Sequence, residues 1–260
     1  MVTLITGAST GIGAEFARQF AALGHDLVVV ARSADRLEEL AAALRAAHGV
    51  NVTVIGMDLS RPDAAEQLWQ RTTGLGLEVD VLVNNAGVGT HADVADADPR
   101  RLEEEVELNC RTLVGTTARY LPAMRARGAG AVVNVASTAA FQPLPKMAVY
   151  SASKAFVLSF TEALWAEERG HGVRVWRSAR GSPTPRSSNW PGRGGHRRVG
   201  PVGSGVHPHA ATGGRPYHPC VVRHKSSFVD GTANAVVIRG LNRLLPRRLV
   251  VALAGRLIHG

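Results

Sequence analysis

Cysteines are scarce in this chain: only two, Cys110 and Cys220, occur among its 260 residues. Two thiols so far apart do not form the closely spaced framework of a small secreted protein, and no cysteines and histidines have the spacing of a zinc site. A secretory signal peptide is not recognisable either. From these absences we expect a cytoplasmic protein with free thiols and no metal site.

The chain also lacks an uncharged apolar run long enough to cross a bilayer. Its apolar C-terminal stretch, from Leu241 to Ile258, is interrupted by four arginines, which is too much charge for a membrane span. Such a stretch is typical of an amphipathic helix that packs on its own domain or on a partner subunit. Peripheral contact with a membrane surface is the less favoured alternative.

Acidic residues are missing from one long segment. Between Arg177 and Lys225 the sequence holds eight arginines, one lysine and no acid, so this segment carries a charge of +9. The whole chain, with 30 basic and 21 acidic residues, is also +9, and the remainder is therefore neutral. The segment holds seven of the 13 prolines and has no sustained apolar period.

The N-terminal residues have the pattern of a nucleotide-binding turn. A β-branched apolar run from Val2 to Thr6 leads into Gly7-Ala-Ser-Thr-Gly11-Ile-Gly13, and apolar residues at helical spacing follow. This order of strand, glycine turn and helix is the context of a dinucleotide site. The glycines allow the backbone to approach a pyrophosphate, whose charge is favoured at a helix N-terminus.

Apolar strands then alternate with helical segments. The predicted strands cover residues 2–6, 27–30, 50–55, 80–83 and 131–135, and a sixth starts at Val173; helices are predicted at about 34–47 and 99–127 and around Tyr150. This alternation indicates a parallel sheet covered on both faces, with ligands at the carboxyl ends of its strands. We therefore predict an α/β fold, a Rossmann-like doubly wound parallel sheet in a single domain, with its core in residues 1–176.

Tyr150 and Lys154 form a candidate catalytic pair. They are four residues apart, so a helix presents them on one face. A lysine ammonium near a phenol favours the phenolate, and such a tyrosine can exchange a proton with a substrate oxygen near neutral pH. Ser137, at the end of the fifth predicted strand, can hold the same oxygen. The pair alone is also typical of ordinary protein surfaces, and the preceding nucleotide motif is what favours catalysis.

The chain resembles the short-chain dehydrogenase/reductase family over about residues 2–175, and more weakly near the C-terminus. Five motifs occur in the order of the family: Thr6 to Gly13, Asp58-Leu59, Asn84 to Gly87, Asn109, and the set of Ser137, Tyr150 and Lys154. The resemblance implies an NAD(P)-dependent oxidoreductase. It would act as a homo-oligomer and transfer a hydride between a nicotinamide and the carbon of a small carbonyl or secondary alcohol substrate.

The resemblance also implies a role for each motif. Tyr150 would be the acid/base, Ser137 would anchor the substrate oxygen, Lys154 would also bind the nicotinamide ribose, and Asn109 would hold a water that links Lys154 to solvent. Asp58 would accept a hydrogen bond from the adenine amino group. The implied cofactor site comprises Gly7, Ser9, Gly11, Ile12, Gly13, Arg32, Asp58, Leu59, Asn85, Ala86, Gly87, Tyr150 and Lys154.

Arg32 bears on the choice of cofactor. An acidic residue at the end of the second strand would bind the ribose hydroxyls of NAD, whereas an arginine accommodates the 2′-phosphate of NADP. The sequence there is Ala31-Arg32-Ser33, and no carboxylate occurs before Asp35. We predict NADP, with NAD less favoured; the alternative is that Arg32 is a solvated residue at a helix cap.

Three interpretations of residues 177–225 remain open. They are a basic insert that binds nucleic acid or membrane, a rebuilt substrate lobe, and a shifted reading frame in a GC-rich gene. We favour the shifted frame. Codons exist for Trp176 to Pro185 that, read one base earlier, give Leu-Ala-Leu-Cys-Pro-Gly-Leu-Thr-Asp-Thr, which resembles a Pro-Gly turn of the family. We therefore predict a disrupted substrate lobe at 177–225 and a helical C-terminal tail, similar to that of the family, at 226–260.

The predicted function is that of an NADP-dependent oxidoreductase with Tyr150 as its acid/base. The first alternative is a cofactor-binding protein with impaired turnover, since its substrate lobe is disrupted. A nucleic-acid-binding protein that uses the basic segment is a less favoured alternative, and no nucleic acid partner is expected.

Overall fold

The computed structural model describes residues 1–180 and a short strand at residues 227–229. The strands of this part are β1 (Val2–Thr6), β2 (Asp26–Ala31), β3 (Val52–Gly56), β4 (Val79–Asn84), β5 (Gly130–Ser137), β6 (Val173–Arg180) and β7 (Ser227–Val229). The α-helices are α1 (Gly11–Ala22), α2 (Ala34–His48), α3 (Ala64–Gly74), α4 (Pro99–Val106), α5 (Leu113–Arg127) and α6 (Ala148–Glu167).

The seven strands form one parallel sheet in the order β3-β2-β1-β4-β5-β6-β7. The chain builds outward from β1 to β3 on one side and then returns to place β4 on the other. The order therefore reverses between β1 and β4, and this reversal opens a crevice at the carboxyl ends of the strands. The predicted Rossmann-like fold is confirmed.

Both faces of the sheet are buried, which is why its strands are apolar almost throughout. Successive residues of β1 point to opposite faces: Ile5 packs with the residues of α1 and α2, and Leu4 with those of α3, α5 and α6. Both are fully buried. Burial on two faces explains why the strands read as continuous runs of valine, leucine and isoleucine.

The long helical stretch predicted at 99–127 is observed with these bounds, but its middle is π-helical and not α-helical. A π-helical turn at Glu107–Thr112 separates α4 from α5. Side chains of the turn bond outside the helix: Asn109 holds the backbone of Val88, and the Thr112 hydroxyl donates to the carbonyl of Leu59. The wider turn lets these residues reach their partners while the helix continues. Helix α3, which the sequence analysis did not identify, also packs on the sheet.

Strand β6 continues to Arg180, four residues beyond the end of the predicted core at 176. Strand β7, a seventh that was not predicted, pairs with it in parallel at the start of the predicted helical tail. The predictions for 181–226 and 230–260, including the disrupted lobe and most of the tail, lie outside the described residues. No helix in the described part of the chain is long and apolar enough to cross a bilayer.

Candidate active site

A cleft with a volume of about 1050 Å³ lies at the carboxyl ends of β1, β4 and β5. Its walls come from the glycine turn after β1, the loop after β4, and the helix that carries Tyr150 and Lys154. This volume is large enough for a dinucleotide and a small substrate. Within the described ranges, no three histidine, cysteine, aspartate or glutamate side chains converge as metal ligands would.

The glycine turn packs too tightly for side chains. Gly7 has a φ of +65°, and a Cβ there would lie 2.8 Å from the Cα of Ala86. A Cβ on Gly13 would overlap the carbonyl oxygen of Gly7. The turn is therefore tight, and it lies at the N-terminus of α1, where the amide groups and the helix dipole favour an anion.

Thr6 and Asn85 tie this turn to the loop after β4. The Thr6 hydroxyl accepts hydrogen bonds from the amides of Asn85 and Ala86, both at 3.0 Å. The Asn85 side-chain amide donates to the carbonyls of Thr6 and Gly7, at 2.9 and 3.1 Å. These bonds cross from β1 to β4 at the point where the strand order reverses, so they fix the width of the crevice.

Basic and polar side chains surround the end of β2. Arg32 lines the cleft as predicted, and Ser33 and Arg36 line it beside Arg32. Arg36 belongs to the first turns of α2, four residues after Arg32, and the sequence analysis did not single it out. Two guanidinium groups at one end of a cleft favour a phosphate, because an arginine can donate two hydrogen bonds to its oxygens.

Asp58 lies on the same wall, after β3. Its Oδ1 accepts hydrogen bonds from the amide and the hydroxyl of Ser60, at 3.0 and 2.8 Å. Partial burial raises the pKa of Asp58, but these bonds and the nearby charges of Arg32 and Arg61 outweigh it and hold that pKa below its usual range. The carboxylate is therefore ionised and can accept a further hydrogen bond.

Ser137, Tyr150 and Lys154 meet at the other end of the cleft. Ser137 is the last residue of β5, and its Oγ accepts a hydrogen bond from the amide of Ala139 at 3.2 Å. Tyr150 and Lys154 face the same side of α6, with the lysine Nζ 5.8 Å from the centre of the tyrosine ring. The structure thus brings together three residues that are separated by a loop and a short 3₁₀ helix in the sequence.

Lys154 is held in an unusual environment. Only 5% of the residue is exposed, and its Nζ donates a hydrogen bond to the carbonyl of Val135 at 3.0 Å. Burial lowers the pKa of Lys154 to about 8, because the ammonium loses the solvation that it has in water. The group therefore exchanges its proton much closer to neutral pH than an ordinary lysine.

Asn109 lies behind the cleft, in the π-helical turn. Its Nδ2 donates to the carbonyl of Val88 and to the hydroxyl of Ser153, and its Oδ1 accepts from the amide of Val88. An asparagine NH₂ has two donors, so both are used. The side chain fixes the loop after β4 to the catalytic helix, and the predicted water-holding role of Asn109 remains a prediction.

A buried polar network supports the strands under the site. Asn84, the last residue of β4, donates to Thr117 and to Asn134, and accepts from the hydroxyl of Thr116 at 2.8 Å. Asn134 in turn donates to Thr161 on α6 at 3.0 Å. The network links β4, β5, α5 and α6 by directional bonds. It thereby orients the carboxyl ends of the two strands that carry the site.

Most of the residues predicted for the site line this one cleft, and two support it from behind. The lining residues are Gly7, Ser9, Gly11, Ile12, Arg32, Asp58, Leu59, Asn85, Ala86, Gly87, Ser137, Tyr150 and Lys154. Gly13 and Asn109 are the two supporting residues. Their predicted roles remain predictions, because their arrangement alone does not test them.

Several residues around Tyr150 were not predicted from the sequence. Gly89 is so close that a Cβ on it would lie 2.9 Å from the Cδ2 of the tyrosine ring. The sequence signal for this contact is the spacing of Gly87 and Gly89, because two glycines so close together are typical of backbone that packs closely against another group. Further lining residues near the tyrosine are Val88, Gln142, Leu144 and Met147. These are mostly apolar and lie on loops, where a single sequence gives no periodic pattern.

A doubly wound parallel sheet with a glycine turn at its point of reversal defines a Rossmann-like dinucleotide-binding fold. Residues 1–182 match the family model described as short chain dehydrogenase. The chain therefore belongs to the short-chain dehydrogenase family.

Individual relatives agree with this assignment. The chain is 34% identical over 176 residues to a very-long-chain 3-oxoacyl-CoA reductase of Phaeosphaeria nodorum. The matching stretch covers 66% of this chain and 52% of that protein. The chain thus spans about half the length of the curated relatives it matches.

Solved structures resemble the chain over a larger share of their length. A short-chain dehydrogenase from Sphingobium yanoikuyae in complex with NADPH is 37% identical, with a TM-score of 0.66 and 70% of each chain covered. L-Sorbose reductase from Gluconobacter frateurii, in complex with NADPH and L-sorbose, is 34% identical with a TM-score of 0.65, covering 69% of this chain and 68% of that one.

Proposed function

We propose that this protein is an NADP-dependent oxidoreductase that interconverts a carbonyl compound and its alcohol. One observation carries the proposal: a tight glycine turn at a helix N-terminus and the set of Ser137, Tyr150 and Lys154 line the same cleft. A cofactor site and an acid/base group must share one cleft for a hydride and a proton to reach one substrate.

The residues of the cleft fit NADP. Side chains on Gly7 and Gly13 would collide with the turn itself and with the loop after β4, so these glycines allow the tight turn that a pyrophosphate site needs. At the end of β2, Arg32 and Arg36 supply positive charge where a 2′-phosphate would lie. Two similar structures hold NADPH, which supports the choice of NADP over NAD.

The chemistry of the chain's own residues follows from their positions. When bound, the cofactor supplies the hydride. Tyr150 donates its phenol proton to the substrate oxygen in the reductive direction and takes it back in the oxidative one. Ser137 donates a hydrogen bond to the same oxygen, and the ammonium of Lys154 favours the phenolate that remains. Val88, Leu144 and Met147 near the tyrosine favour a substrate with an apolar arm.

Binding and turnover test this function separately. We expect the protein to bind NADPH more tightly than NADH, measured by nucleotide fluorescence, and to consume NADPH with members of a panel of ketones, ketoses and 3-oxoacyl thioesters. Tyr150→Phe should keep NADPH binding and lower turnover by about 10²–10⁴-fold. Tyr120→Phe is the matched control, because the Tyr120 hydroxyl bonds to Thr72 away from the cleft. Equal turnover of the two variants would contradict the assignment of Tyr150.

A cofactor-binding protein with impaired turnover is the second candidate. The observation that favours it is the acid-free sequence of residues 177–225, in the part of the chain where we predicted the substrate lobe. Tight NADPH binding without turnover of any member of the panel would support this candidate. If the protein neither bound NADPH nor turned over any member of the panel, both candidate functions would be rejected.

A further inference from the structure

Glu105 is a fully buried carboxylate that the proposed chemistry does not use. It lies on α4, one turn before Asn109, with none of its surface exposed. Its Oε2 accepts a hydrogen bond from the amide of Thr90 at 2.9 Å, and its Oε1 has no partner among the described residues. Burying a charge with an unpartnered oxygen is costly. Such a group needs a compensating interaction.

The loop that Glu105 holds is the one that contacts the catalytic residues. In the Gly87–Thr90 loop, a Cβ on Gly87 would lie 3.0 Å from the Oδ1 of Asn109 and 3.2 Å from the Nζ of Lys154. Val88 is bonded through both its amide and its carbonyl to Asn109.

The remaining two residues of the loop continue the pattern. The backbone of Gly89 lies against the Tyr150 ring, and the amide of Thr90 donates to Glu105. Val88 and Thr90 of this loop are thus bonded to Asn109 and Glu105, and its two glycines lie against Asn109, Lys154 and Tyr150. Glu105 is the last anchor of a loop that lies against the catalytic pair.

The charge of Glu105 acts on Lys154. Burial lowers the pKa of Lys154, while Cys110 and Glu105 oppose this and raise it. Burial likewise raises the pKa of the Cys110 thiol. The charge of Lys154 lowers that pKa, and Glu105 raises it. Tyr150 is the titratable neighbour on the helix of Lys154 itself, and β5 contributes a backbone carbonyl and no titratable side chain.

We propose that Glu105 is a positioning residue for the Tyr150–Lys154 pair: it anchors the Gly87–Thr90 loop through Thr90 and places a buried carboxyl group behind the loop that lies against Lys154. The inference deepens the proposed function, since it concerns the same site. Glu105 acts through Lys154 and the loop and touches no substrate.

The lysine content of the chain allows a direct test. Only three lysines are present, Lys146, Lys154 and Lys225, so ¹³C-labelled lysine gives three side-chain signals that NMR can follow through a pH titration of the full chain. In the wild type we expect Lys154 to titrate at about 8. In Glu105→Gln, which keeps an acceptor for Thr90 but loses the charge, the midpoint should fall by roughly half a pH unit or more.

Glu104→Gln is the matched control. Glu104 is the exposed neighbour on the same helix, so this variant removes the same formal charge from the surface. Its Lys154 midpoint should equal that of the wild type. If Glu105→Gln also left the midpoint unchanged, the inference would be overturned. The titration uses cofactor-free protein, so its outcome is independent of whether NADPH binding or turnover is found.

A thermodynamic cycle covers the case in which Glu105→Gln is too unstable for NMR. Melting temperatures of Glu105→Gln, Lys154→Met and the double variant are compared with the wild type. If the two charges compensate each other, the double variant is destabilised by less than the sum of the single variants. Additive effects would overturn the inference.

Discussion

At the scale of single residues, the burial of Lys154 serves the proposed chemistry but lowers the stability of the fold. The folded protein keeps this ammonium almost entirely out of water, and the lowered pKa measures the free energy that folding gives up to do so. A fall in the pKa of Lys154 from the ordinary lysine value of 10.5 to about 8 corresponds to about 3 kcal/mol. This cost is a substantial fraction of the total stability of a domain, and it is concentrated at the residue that the proposed chemistry needs.

The pH dependence of stability should reveal this cost. Between about pH 8 and 10.5 the unfolded chain holds the Lys154 proton and the folded chain has lost it. The wild type therefore gains stability as pH rises through this window, and below it the full cost is present. We expect the difference in free energy of unfolding between wild type and Lys154→Met to change by about 3 kcal/mol over the window.

Urea denaturation at pH values from 7 to about 10.5 measures this difference. Lys146→Met is the control: Lys146 is partly exposed, and its variant should follow the wild type at every pH. A constant difference between wild type and Lys154→Met would show that the burial of Lys154 carries no such cost.

A sequence reveals a site residue most readily when its partner lies at a regular distance along the chain. Tyr150 and Lys154 are visible because helical geometry alone places them together. Glu105 reaches the same site through the fold and looks in the sequence like one of three consecutive glutamates on an exposed helix face. Its burial depends on the position of the loop after β4, which no local pattern encodes.

At the scale of elements, strands were easier to predict than helix interruptions. Burial on both faces gives each strand a short apolar run with clear ends, and the predicted and observed bounds differ by at most two residues for the first five. The π-helical turn left no comparable signal. Its residues, from Glu107 to Thr112, continue a helical sequence, and the turn is wide because Asn109 and Thr112 bond to other elements.

An ion pair with one buried partner joins the end of α5 to the end of α6 and should contribute to stability. Arg125 donates two hydrogen bonds to Glu168, at 3.0 and 2.8 Å, and the Glu168 side chain is only 1% exposed. Arg125→Ala leaves that carboxylate buried without its partner. We expect a loss in the free energy of unfolding that is smaller than for a fully buried pair, because Arg125 reaches solvent, and larger than for an exposed pair.

An exposed pair at the other end of this helical stretch provides the comparison. Arg111 bonds to Glu107 one helical turn away, and its side chain is 58% exposed. Arg111→Ala should cost less than about 1 kcal/mol, because solvent screens such pairs. Denaturant unfolding of both variants measures the two losses. Equal losses would mean that burial of Glu168 does not matter.

At the scale of the whole molecule, the fold class could be predicted because strand and helix alternate regularly over the first 176 residues. The order of the sheet and the place of its cleft follow from that alternation and from the rules of parallel sheets. The seventh strand could not be predicted. It is three residues long and follows the segment in which no apolar period is visible, so its pairing with β6 is set by the sheet and not by local sequence.

We propose that residues 177–225 derive from a shifted reading frame. Restoring the frame across these codons should raise the melting temperature and the NADPH-dependent turnover, because apolar burial contributes about 25 cal/mol per Å². A Gly/Ser segment of equal length in the same place is the control and should raise neither. Resequencing the gene is the first step. A coding frame that proves continuous, with no compensating pair of insertions or deletions, would contradict the proposal.

The π-helical turn also bears on how this protein can change during evolution. Deleting one residue from Glu107–Thr112 would turn it into ordinary α-helix and rotate α5 by about 100° relative to α4. Thr116 and Thr117 would then leave Asn84, although their own codons were untouched. Substitutions in this stretch act one side chain at a time, whereas a change of length displaces a whole helix. Insertions and deletions should therefore be far rarer here among functional descendants than replacements.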